Sequence, residues 1–101
     1  MTKATLFSRL GTLLHVSNFA NKTNQHLATF KHGEAFSSYG KIIGVKHNEH
    51  GQINFYFDPS YHDYSKTTSK YCKQWSGLSA ESRRRACADP SNERYQYVDL
   101  N

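Results

Sequence analysis

The chain has 101 residues, 37% of them hydrophobic and 14% aromatic, and a formal net charge of +5. One chain of this length makes one domain, residues 1–101, hiding somewhat under about 70% of its unfolded surface, and so many aromatics exclude a disordered tail. No apolar run approaches the roughly 18 residues of a membrane span, and two cysteines are too few for a disulfide scaffold.

In chain order, Leu6, Phe7, Leu10, Leu13 and Leu14 are spaced as one apolar face, which predicts a short helix within residues 2–16, with Thr2 as cap and Gly11 as its weak point. Arg9 interrupts the unbroken apolar region that a secretory leader needs, so the expectation is a cytoplasmic chain with reduced thiols. Residues 17–26 are polar and read as a loop. From Leu27 the texture becomes alternating, with β-branched and aromatic residues at every second position through Phe57. Gly33, Gly40 and Gly51 punctuate this stretch, and residues 47–51 read as a hairpin turn. Asp58-Pro59 ends it.

Residues 61–75 order themselves by helical geometry. Advancing about 100° per residue from Lys66, Lys70 falls near 40° and Lys73 near −20°, whereas Tyr64, Thr68, Tyr71, Cys72 and Trp75 fall roughly between 140° and 240°. The spacing predicts an amphipathic helix over 65–75, capped by Asp63 or Ser65 and terminated by Gly77, with an aromatic inner face and a cationic outer one. A second helix is predicted over 79–88, capped by Ser79 and stopped by Asp89-Pro90, and residues 94–100 have the texture of an added edge strand. The expected architecture is α+β: a small antiparallel meander of three or four strands packed against one or two helices.

The charge is concentrated. Between Lys66 and Arg85 there are six cations, Lys66, Lys70, Lys73, Arg83, Arg84 and Arg85, and one anion, Glu81, while the rest of the chain balances. A localised basic patch favours polyanions or an acidic protein surface. Arg83, Arg84 and Arg85 cover roughly 200° of helical arc, too wide for all three to enter one DNA groove. For a metal, the cysteines stand fifteen apart and the tight pair His47 and His50 lies in a turn; His62 with Cys72 and Cys87 is the best set, against the simpler role of two small buried hydrophobes. Neither a nucleophile with an oriented base nor a phosphate-cradling glycine loop is legible, so the expectation is no catalysis, no metal and no cofactor. Tyr39, Tyr56, Tyr61, Tyr64 and Tyr71 are candidates for stacking on bases beside those cations.

The order of features, with Ser38-Tyr39, the strand over 42–45, a hairpin, an aromatic strand and then Tyr64-Ser65-Lys66-Thr67-Thr68-Ser69-Lys70, resembles a group of short bacteriophage-encoded domains of unknown function. The likeness covers about residues 27–76. It implies a small phage protein that acts by stoichiometric binding to a host protein or nucleoprotein complex, an anti-defence or anti-CRISPR factor being one form, and it supplies no catalytic residues. The alternative expectation is a small nucleic-acid-binding protein using the same six cations and exposed tyrosines.

Overall fold

In the computed structural model, which describes residues 1–101, a six-stranded sheet runs in sequence order: β1 (Leu13–Asn18), β2 (Gln25–Phe30), β3 (Gly33–Ser38), β4 (Lys41–Glu49), β5 (Gln52–Phe57) and β6 (Tyr95–Tyr97). The first five strands are antiparallel neighbours, and β6 pairs with β5 in parallel. Three helices accompany the sheet, α1 (Lys3–Leu10), α2 (Lys66–Ser76) and α3 (Ala80–Ala88). The three- or four-stranded antiparallel meander with one or two helices is therefore corrected to a six-stranded mixed sheet with three helices.

Two segments account for the difference. The helix predicted within residues 2–16 stops at Leu10, because Gly11 turns to φ +79° and the chain continues as β1. Leu6 and Leu10 lie one turn apart and are fully buried, but Leu13 and Leu14 are strand residues and lie largely in solvent. At the other end, three residues of the tail reach the free edge of β5 after the two-helix excursion, and a parallel partner needs such a crossover.

Both faces of the sheet are packed. On one, α1 lays Leu6 and Leu10 over Ala35, Val45, Tyr56, Val98 and Leu100. On the other, Tyr71, Cys72 and Trp75 of α2 cover Phe36, Ile43, Phe55 and Phe57. Ile43 is the extra residue of a bulge, since Phe36 pairs with Gly44 and Ser37 with Ile42; the bulge turns Ile43 toward the α2 core while Ile42 borders the α1 core. Two-residue turns at Tyr39-Gly40 and His50-Gly51, all four at positive φ, join β3 to β4 and β4 to β5 with the twist that hairpins favour.

The indole of Trp75 fixes α2 against the sheet. It rests on Gly44, where an added Cβ would come within 2.6 Å of the ring. Trp75 Nε1 donates to Glu34 Oε1 at 3.0 Å, and Lys46 Nζ donates to the Trp75 carbonyl at 2.8 Å while lying 3.4 Å from the same carboxylate oxygen. A cation on a carbonyl of the last helical turn satisfies a group that the helix itself leaves unpaired.

Candidate binding surface

The three lysines of α2 stand on its solvent side, as the helical spacing requires, with Thr68, Tyr71, Cys72 and Trp75 buried beneath. Ser65 is the cap: its hydroxyl accepts from the Thr68 amide at 3.1 Å, and Gly77 closes the helix in the left-handed conformation. Tyr64, expected on the inner face, precedes the helix and is 44% exposed. No carboxylate lies within ion-pair distance of Lys66, Lys70 or Lys73. Lys70 Nζ sits over the Tyr71 ring at 5.3 Å, so its aliphatic stem covers the core while the ammonium stays wet.

The three arginines separate. Arg83 leaves the surface altogether: it is fully buried, and its guanidinium donates from Nε to His62 Nδ1 at 3.0 Å, from Nη1 to the Leu78 carbonyl at 2.7 Å, and from Nη2 to the His62 carbonyl and Ser69 Oγ, each at 3.1 Å. Its place in the predicted contact set is thus corrected; it braces the loop before α2 against α3. Arg84 is half-exposed and pairs with Asp63 at 2.5 Å, and exposed Arg85 pairs with Glu81 one turn back at 2.6 Å. The free positive charge of the window is therefore lysine charge.

Around the start of α2 the fold adds groups from elsewhere in the chain. Lys22, Thr23, Asn24, Gln25, Tyr39, Thr67 and Tyr71 line a small concavity of about 160 Å³. Lys41 Nζ lies over the Tyr61 ring at 5.1 Å, and Tyr61 meets Tyr64 edge to face at 5.4 Å. Tyr39, 52% exposed, and Tyr64 present their rings to solvent, while Tyr56 and Tyr71 are core. Sequence reading missed Lys22 and Lys41 because they come from a loop and from the start of β4; the cation directly after Tyr39-Gly40 was the available signal.

Family models, curated proteins and solved structures give no match to this chain.

No three His, Cys, Asp or Glu side chains converge on a metal-sized point. His62 Nδ1 is committed to Arg83, Cys72 is fully enclosed in the α2 core, and burial pushes the thiols of both Cys72 and Cys87 up to about 11, so neither is a thiolate at neutral pH. Two wide polar concavities flank the tip of the β4–β5 hairpin, sharing Arg9, Glu49 and His50. Glu49 and Glu93 stand there alongside Arg9 and the histidines, so the region has no single sign of charge. The α2 lysines do.

Proposed function

We propose that this protein is a non-enzymatic, phage-type accessory factor that binds a host macromolecular complex and blocks it, an anti-defence or anti-CRISPR role being the form that fits. The observation that carries the reading is the stripe of Lys66, Lys70 and Lys73, exposed and without carboxylate partners, on a helix whose opposite side is locked into the core. Like charges without carboxylate partners on one narrow face repel each other mildly, and Lys70 alone has a contact within the fold, over the Tyr71 ring, so a negatively charged partner supplies what the fold does not. Because Trp75 holds α2 rigidly, the stripe needs no reordering to dock, which favours tight stoichiometric contact. Electrostatic steering toward an acidic rim, or toward the edge of a nucleic-acid channel, follows from the same charge.

The test is titration of purified protein into reconstituted host effector and nuclease complexes. Inhibition is expected to saturate at one copy per complex and to be lost in the variant K66E/K70E/K73E, with its circular dichroism unchanged and its melting close to native. Undiminished inhibition by that variant would remove the α2 face from the contact.

Single-stranded nucleic acid is the second reading, and one arrangement favours it: exposed Tyr39 and Tyr64 stand among Lys22, Lys41 and Lys66 at the start of α2. Rings that stack on bases beside cations that follow phosphates bind single strands with little sequence preference. Here a fluorescent oligonucleotide is expected to bind with affinity falling steeply with salt, and Y39A/Y64A to weaken it without altering the salt slope. An oligonucleotide that stays free at low salt excludes this mode.

A further inference from the structure

β1 lies at one edge of the sheet, so the outward amides and carbonyls of Leu13–Asn18 have no strand beside them. Soluble proteins ordinarily guard such an edge with charge, proline or a covering segment. The opposite edge is short: β6 has only three residues, and Arg94 precedes it. β1 has none of these; its one irregularity is a bulge at Leu14, between the Leu13–Phe30 and His15–Thr29 pairs. From Leu10 to Asn21 there is neither proline nor any Asp, Glu, Lys or Arg, although the chain as a whole carries +5.

The side chains agree with the backbone. Leu13, Leu14 and Val16 are 52%, 64% and 54% exposed. Leu13 pairs with Phe30 and Val16 with Ala28, and those partners border the α1 core together with Phe7, whose ring meets Phe30 edge to face. The apolar face of the sheet therefore continues onto β1, beyond the reach of α1.

We propose that β1 is a homodimer seam, at which two copies pair β1 to β1 in antiparallel fashion about a two-fold axis and form one twelve-stranded sheet. The occupant is argued from charge. A two-fold axis sets each group near its own counterpart, so an edge that pairs with itself has to be free of like charge, and β1 carries no Asp, Glu, Lys or Arg. An acidic partner is drawn to the α2 lysines on the other face. Because both copies offer the same edge and the other edge is only three residues long, growth stops at two. One short ladder, bent at the Leu14 bulge, with three apolar side chains per copy lies at the small end of interface sizes, so the dissociation constant is expected in roughly the micromolar range or weaker.

The experiment is sedimentation equilibrium over a concentration series, with hydrogen exchange read at the β1 amides. The native chain is expected to pass from 11.6 kDa to twice that mass, and protection of Leu13–Asn18 to rise with concentration. Leu14→Lys together with Val16→Lys, both at exposed positions, is expected to weaken association by more than about tenfold with an unchanged circular dichroism spectrum. If that pair unfolds, the single substitution Leu14→Lys carries the same test. Lys70→Glu with Lys73→Glu should leave the dimer intact. A native chain that stays monomeric throughout, a dimer that survives charge on β1, or assembly beyond two copies would each overturn the proposal.

Discussion

Arg83 is the residue at which charge counting and structure part. A run of three arginines reads as solvated, yet the fold takes the first of them inside and spreads its positive charge over two backbone carbonyls, a hydroxyl and an imidazole. Removing such a group strands its neutral acceptors, and a buried polar group left unpaired costs about 1–3 kcal/mol; Arg83→Ala is expected to lower stability by at least that order in chemical denaturation, whereas Arg85→Ala should change it by less than about 0.5 kcal/mol. His62 shares the consequence. It accepts through Nδ1, so a second ring proton would displace Arg83, and burial holds its pKa below 6.5, with Asp63 opposing and Arg83 reinforcing the shift. A histidine depressed in the folded state contributes stability that is intact above its unfolded value of 6.5 and drains as pH falls through the folded value. Melting temperature is therefore expected to fall from about pH 6.5 downward, and His62→Gln to flatten that fall in part, since burial lowers His47 in the same direction.

At the scale of the elements, α2 and α3 were legible because their information is local. Ser65 and Ser79 cap them, Gly77 ends the first, and the apolar stripe of Thr68, Tyr71, Cys72 and Trp75 names its own buried side. β1 was not legible, because Leu13 and Leu14 satisfy helical spacing with Leu6 and Leu10 and only the backbone turn at Gly11 decides between the two continuations. β6 was legible as an edge strand within residues 94–100, but not its parallel pairing, because its partner Phe55 lies forty positions earlier than Tyr95. Nor does any spacing announce that Glu34 bonds the Trp75 indole. Gly44→Ala tests that junction. The new methyl would press on the indole, and overpacking of this kind costs about 1–3 kcal/mol, so denaturation should shift accordingly while Gly40→Ala, with nothing near its Cβ, pays only backbone strain.

For the molecule as a whole, the two faces of the sheet divide the labour. One holds α1 and the apolar core that runs out toward β1; the other holds α2, with its lysines outward. The basic surface was half legible: the lysine stripe follows from helical spacing, while the removal of Arg83 and the arrival of Lys22 and Lys41 depend on tertiary packing that no local pattern encodes. Since the lysines have no carboxylate partners and only Lys70 touches an aromatic ring, neutralising all three should leave stability within about 1 kcal/mol of the native chain while any polyanion binding loses most of its salt dependence. Closely similar melting curves beside a flattened salt titration are the expected pair of results.

Asp58 ties the end of the chain to the end of β5. Its buried carboxylate accepts from the amides of Ser60 and Tyr61 on one oxygen and from Leu100 N and the Asn101 amide group on the other, a clasp closing a 42-residue excursion that contains both later helices. Trp75 anchors α2 independently, whereas α3 is held by β6, and so by the clasp, together with Arg83. In Asp58→Ala, hydrogen exchange should quicken across α3 and β6 while α2 stays protected. Opening that buckle would thus loosen Arg84 and Arg85 and leave the lysine stripe in place, parting two halves of one surface that ordinary charge mutations always alter in their folded setting.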